Sequence, residues 1–242
     1  MTNITIGYCD DDFNYLDNFL SNPSYAEEKE EVQALIDVAF NDNIEKTKKV
    51  SYNKTIDVQF GRYKKFGSNL DGCLTINLKA SYGWRDWLIN FFCFGIKYHF
   101  GYKHEIHRYA VQFTNDIIKQ LHHDEKSPVI ITGRSKGAGE ALMMCDAIYQ
   151  VVKVFGVHRV IVGAFAPPKC MSKKIGRDKA DCVGMANIYT FVYRSDIVPK
   201  VLPWFSHVPC YMIKFGEKGE RPFKTHIKVT TDRSVYDFLQ NN

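Results

Sequence analysis

Residues 129–142, VIITGRSKGAGEAL, constrain this chain more than any other stretch: an apolar run stops at a group of small and charged residues and then resumes as a helix. A short apolar run bounded by glycine reads as a buried strand. Ala141, Leu142, Cys145, Ile148 and Val152 fall on one stripe of a helix over 139–155. A strand that turns directly into a helix is half of a βαβ unit. The same alternation recurs around it. Residues 55–67 and 72–80 read as strands, and 105–123 carry Ile106, Tyr109, Ala110, Phe113, Ile117 and Leu121 at helical intervals. Further β-rich runs at 128–133, 158–168, 187–196 and 210–216 end in turns or breaks. Apolar strands alternating with helices predict an α/β fold, a mostly parallel sheet with helices on both faces.

A chain of 242 residues can bury one core of this kind, so a single domain is expected over 1–242. Its first part, 1–55, is expected to be a mainly helical segment packed on that domain. Within 10–50, Ser24 and Glu27 stand at capping-box spacing, and Val32, Leu35, Ile36 and Ala39 share one face. The net charge of +5 is mild and the lysines are scattered, which speaks against a nucleic-acid groove and favours weak adsorption to anionic lipid. The N-terminus lacks a basic region followed by an apolar core, and the longest apolar run, 87–96, is too short to cross a bilayer. An intracellular, cytoplasmic protein is expected. Seven cysteines with no CxxC pair read as small core residues in a reducing compartment, and no ligand spacing for a metal is present. Neither a metal nor a cofactor is expected.

In an open parallel sheet, ligands bind beyond the carboxyl ends of the strands, so polar residues just past those ends are the first candidates for chemistry. Ser135 follows VIITG, Asp196 follows IYTFVYR, and His226 follows CYMIKFG after a short loop. A serine hydroxyl is a poor nucleophile at neutral pH. It needs an imidazole to take its proton and a carboxylate to orient that imidazole. The order Ser, Asp, His is the one α/β-hydrolases use. Gly133 and Gly137 let the chain turn sharply from strand to helix around the serine, and the backbone N–H of Lys136, at the helix start, is placed to donate to an oxyanion. His207 stands just before the last strand and is the reserve for the base. His158 precedes a strand, at the wrong end of the sheet, and Asp181 and Asp232 are worse placed than Asp196.

These residues resemble the class 3 lipases, also called fungal-type triacylglycerol lipases. VIITGRSKGAGEALM is similar to that family's strand, turn and helix around the nucleophile, and VIVGAFAPPK (161–169) to its next strand. YRSDIVPKVLPWFSHVPCYMIKFG (193–216) is the most specific match, with its Asp, Ile-Val-Pro, further proline and Ser-His pair leading into a strand. The resemblance assigns Asp196 as the acid and His226 as the base, and makes His207 a non-catalytic neighbour. LTINLKASYGWRDWLINFF (74–92) resembles the family's strand, Phe-Arg-Gly-Thr/Ser and lid, which puts Ser81 where the residue completing the oxyanion hole stands. The chain departs from the family pattern at Arg134 for His, Lys136 for Leu and Ala138 for Gly, and at Leu78, Lys79, Ala80 and Ser81 for Phe-Arg-Gly-Thr.

Treating 82–92 as a helix puts Trp84, Trp87, Leu88 and Phe91 on one stripe. Following the oxyanion residue, that stripe is expected to be a lid and substrate-binding element that turns its aromatic face to a membrane or lipid-droplet surface. The function implied is a serine hydrolase of lipid esters, acylglycerol or phospholipid. A lipase-like lipid-binding module without turnover and a small-ester or thioester hydrolase are the alternatives. Hydrogen-bond contact of His226 with both Ser135 and Asp196 discriminates against the first of these.

Overall fold

Adjacent residues of VIITGR point to opposite faces of a sheet, and both faces are covered. In the computed structural model, which describes residues 5–10, 12, 14, 25–52, 56–80, 100–122, 126–200 and 205–239, strand β5 is Val129–Arg134. Val129 and Ile131 belong to one buried cluster and Ile130 to the other. A strand buried on both sides needs a continuous apolar run, and this one has it.

The flanking strands are β4 (Leu74–Ala80), β6 (Val160–Phe165), β7 (Ile188–Tyr193) and β8 (Cys210–Phe215), and all run parallel to β5. β3 (Ile56–Tyr63) and β2 (Ile44–Tyr52) extend one edge antiparallel, and β1 (Thr5–Cys9) pairs antiparallel with β8 at the other. The eight strands take the order β1-β8-β7-β6-β5-β4-β3-β2. This is the expected mostly parallel sheet, the arrangement of an α/β-hydrolase fold.

Helices α2 (Phe100–Gln120) and α3 (Lys136–Lys153) cover one face. Tyr109, Phe113 and Ile117 of α2 and Leu142, Cys145, Ile148 and Val152 of α3 lie in the same buried cluster. Helix α1 (Tyr25–Phe40) covers the other face through Val32, Leu35, Ile36 and Ala39, the stripe expected from its periodicity. It sits close to the sheet because Gly163 of β6 has no side chain: a Cβ there would lie 2.7 Å from Leu35 Cδ2. Two further helices follow, α4 (Lys173–Val183) and α5 (Pro222–Thr231), with a 3₁₀ turn at Arg233–Leu239.

Among its described residues the N-terminal segment holds strand as well as helix. Alongside α1 it supplies β1 and β2, the two edge strands of the sheet. β2, IEKTKKVSY, is lysine-rich and largely exposed, and its register shifts between Lys46 and Lys48. Charge and a bulge are how edge strands avoid pairing with other chains, and both erase the alternation that marks a strand in sequence. Ser24, the expected cap of α1, lies outside the described residues.

Five of the six described cysteines, Cys9, Cys73, Cys145, Cys170 and Cys210, are buried, and all six are free thiols. Burial pushes the Cys145, Cys170 and Cys210 thiols up to about 12, so they stay protonated and behave as small apolar residues. Cys93 lies outside the described residues. Among the described residues no helix is long and apolar enough to cross a membrane.

Candidate active site

The turn after β5 is held by one glycine-dependent contact and one strained residue. A Cβ on Gly133 would come within 2.2 Å of the Gly137 carbonyl oxygen, so only glycine lets the first turn of α3 press against the strand end. Between them Ser135 has φ 53° and ψ −121°, a conformation that side-chain-bearing residues avoid. The surroundings hold it there. Ser135 N–H donates to the Phe165 carbonyl at 2.9 Å, extending the ladder one residue past β5, and the Ser135 carbonyl accepts from Ala138 and Gly139 N–H, starting α3.

The other two candidates arrive from the carboxyl side of the same sheet. Asp196 follows β7 in a turn closed by its own N–H on the Tyr193 carbonyl, and it is fully buried. One carboxylate oxygen accepts from Val198 N–H at 2.9 Å, which leaves the other for His226. His226 sits on α5, with Nδ1 2.9 Å from Asp196 Oδ2 and Nε2 2.8 Å from Ser135 Oγ. A carboxylate can only accept, so Nδ1 carries the proton and Nε2 turns its lone pair to the serine hydroxyl. The structure thus brings Ser135, His226 and Asp196 into one hydrogen-bonded line.

The reserve histidine lies elsewhere. His207 is buried, with Nε2 2.8 Å from the Pro199 carbonyl, and burial pushes its imidazole down to about 3. It holds the loop before β8 in its neutral form. His158 and Asp181 are exposed, and Asp232 engages Ser234 instead.

Lys136 is the first residue of α3, where main-chain N–H groups have no partner inside the helix. Its side chain folds away into the core, 2% exposed, with Nζ 3.7 Å from the fully buried Glu140, which also accepts from Tyr109 of α2 at 3.0 Å. Ser81, the other expected oxyanion donor, and Trp84, Trp87, Leu88 and Phe91 of the expected lid lie outside the described residues.

Sequence reasoning missed two supports of the site. The Arg134 guanidinium donates to the Thr230 carbonyl of α5 at 2.5 Å and lies 4.9 Å over the Phe40 ring. Beneath α5, Tyr236 contacts the rings of Phe40, Phe165, Phe191 and Phe215, while its buried hydroxyl donates to the Val229 carbonyl. These aromatics come from three strands, one helix and the C-terminal turn, so no periodicity links them. Stacked Phe165 and Phe191, 4.2 Å apart, are worth roughly 0.5–1.5 kcal/mol beyond their burial.

Among the described residues no group of three or more His, Cys, Asp or Glu side chains forms a metal-binding cluster. A surface depression of about 550 Å³, lined by Lys29, Asp37, Phe66 and Arg233 among others, shares no residue with the Ser135 site.

Comparison with known proteins bears on the family and the fold. The sequence model of a family described as Lipase (class 3) matches residues 44–206, a span that includes Ser135 and Asp196 and stops short of His226. No curated protein matches the chain by sequence. Among solved structures, a fungal lipase–inhibitor complex used as a model for interfacial activation is 13% identical, with a TM-score of 0.61 over 85% of this chain and 80% of that one. A lipase from Rhizopus microsporus var. chinensis is 16% identical, with a TM-score of 0.56 over 77% and 72% of the two chains. A deletion mutant of the Rhizomucor miehei lipase propeptide complex is 14% identical, with a TM-score of 0.58 over 83% of this chain. The present chain spans 64% of that protein's length.

Proposed function

The chain belongs to the class 3 lipases, a family of the α/β-hydrolase superfamily, and from that premise we propose that it hydrolyses carboxylic esters of lipids through Ser135, His226 and Asp196. The observation that carries the proposal is the unbroken line from Ser135 Oγ through the imidazole to Asp196, at 2.8 Å and 2.9 Å.

In this reading Ser135 Oγ attacks the ester carbonyl carbon while His226 Nε2 takes its proton. Asp196 fixes the tautomer and stabilises the imidazolium that forms. The negative charge on the former carbonyl oxygen is met by the Lys136 N–H at the start of α3 and, from the resemblance, by Ser81. Collapse breaks the ester C–O bond, and the alcohol leaves with the proton from His226. Water then repeats the sequence in reverse on the acyl-serine and releases a fatty acid. The strained φ of Ser135 presents its Oγ at the end of the strand, where the imidazole waits.

For the substrate we take a long-chain acyl ester, acylglycerol or phospholipid, bound under a lid at 82–92 whose stripe is Trp84, Trp87, Leu88 and Phe91. The triad-like contact also counts against a lipid-binding module without turnover, since such a module has no need of an ordered imidazole. A fluorophosphonate probe should label the wild type and leave Ser135→Ala unlabelled. Ester turnover of that variant should fall by roughly 10⁴-fold or more. Equal labelling of both proteins refutes the assignment.

A further inference from the structure

Helix α5 carries His226 on one side and an unusual surface on the other. Phe223 and Ile227, one turn apart, are 60% and 63% exposed. Lys224 and Lys228, also one turn apart, are exposed beside them, while Thr225, Val229 and Thr230 are buried against the protein. At 3.6 residues per turn these positions fall into strips that follow one another around the helix. The edge with His226 and Thr230 comes first, then the apolar pair, then the lysine pair, and the buried side closes the circle. The apolar strip therefore lies between the reacting imidazole and the cationic strip.

We propose that this outer face of α5 docks on the headgroup region of an anionic lipid bilayer. The order of the strips supports that occupant. Apolar side chains that enter the interface while lysines keep their ammonium groups at headgroup level are the pattern of a helix lying on a membrane. Charge points the same way. Residues 217–228 hold Lys218, Arg221, Lys224 and Lys228 against Glu217 and Glu220, and the Glu220 carboxylate is engaged by Tyr193 and Thr225 at 3.0 Å and 3.3 Å. Two apolar side chains are too small a surface for a stable protein partner, which needs about 1,000 Å² or more. They suffice for weak, reversible adsorption that leaves the His226 edge at the interface. This surface shares no residue with the 82–92 stripe and does not depend on the chain being an active hydrolase.

The test uses vesicles of ether-linked lipid, which no esterase can cut, made of phosphatidylcholine alone or mixed with phosphatidylglycerol. Wild-type protein should sediment with the mixed vesicles and much less with neutral ones. Phe223→Ser combined with Ile227→Ser should weaken that partition roughly tenfold or more. Lys224→Gln and Lys228→Gln should each weaken it about fivefold and remove the preference for phosphatidylglycerol. Equal partition on both lipids, or no loss in the Phe223/Ile227 variant, overturns the proposal. So does concentration-dependent self-association that the Phe223/Ile227 variant abolishes, which would assign the face to a second copy of the chain. Phe223→Trp reads the same contact with no loss of apolar surface. Its added emission should shift to the blue on mixed vesicles, and an added emission that stays aqueous also overturns the proposal. Turnover of a water-soluble short-chain ester reports separately on the triad, so failure of one reading is distinguishable from failure of the other.

Discussion

Arg134 and Lys136 place a cation on each side of Ser135, and the structure sends them in opposite directions. Arg134 ends β5 and reaches across the sheet edge to the Thr230 carbonyl and the Phe40 ring. Lys136 opens α3 and turns into the core, toward Glu140 and the Tyr109 hydroxyl. The first contact joins the serine's turn to the helix that carries His226; the second joins two helices. Residues two apart in sequence thus serve different ends. Disturbing the Arg134 side should appear in turnover, and disturbing the Lys136 side in stability.

The largest expected effect is on the Lys136 side. Glu140→Ala leaves the Lys136 ammonium buried without its carboxylate, a change that costs about 3–5 kcal/mol. Urea unfolding should report that loss, while turnover per folded molecule stays within a few-fold of wild type. Lys136→Met combined with Glu140→Met should recover most of the stability, because a well-packed apolar pair replaces a buried ion pair at little cost, and it keeps the Lys136 main-chain N–H. A collapse of turnover in the folded double variant breaks the division between the two sides.

Acid lability has to be separated from that ion pair, and His207 is its expected source. Its folded pKa is depressed to about 3 from the ordinary 6.5, so the unfolded chain binds a proton that the native protein does not. The resulting stability is complete above pH 6.5 and is lost as pH falls through the interval toward 3, by about 2 kcal/mol at pH 5. His207→Gln keeps a donor for the Pro199 carbonyl and should remove one proton from the slope of unfolding free energy against pH. An unchanged slope would move the acid sensitivity to other groups.

On the other side the effects are smaller and kinetic. Arg134→Gln shortens the side chain and removes its charge, which frees the last turn of α5 and should lower kcat roughly tenfold, about 1.4 kcal/mol, with KM little changed. Arg134→Lys retains a cation near the Thr230 carbonyl and should restore part of the rate. A matching loss of stability with no change in kcat would place Arg134 with the structural side.

How much of this the sequence disclosed depends on whether a residue's partner leaves a pattern. Gly133 and Ser135 were legible because the turn's own sterics demand them. Asp196 and His226 were legible because the carboxyl ends of parallel strands limit where polar residues can converge. β2 was not, since its lysines and register shift remove the two-residue period. Nor was the Arg134 contact: its partner is a main-chain carbonyl, and any residue at position 230 supplies one.

The smallest expected effect tests whether Arg134 needs its ring as well as its carbonyl. Phe40 lies 4.9 Å from the guanidinium and also contacts Phe165 and Tyr236, so it couples the arginine to the aromatic floor beneath α5. Phe40→Leu keeps apolar volume there and removes the π face, a contact worth about 0.5–1 kcal/mol at a partly exposed site. If the ring helps to aim Arg134 at Thr230, kcat should fall about two- to fivefold in the wild-type background and not further in Arg134→Gln. Additive losses would mean that the ring acts through the floor alone. The carbonyl contact would then be the whole of what the arginine contributes to the alignment of His226.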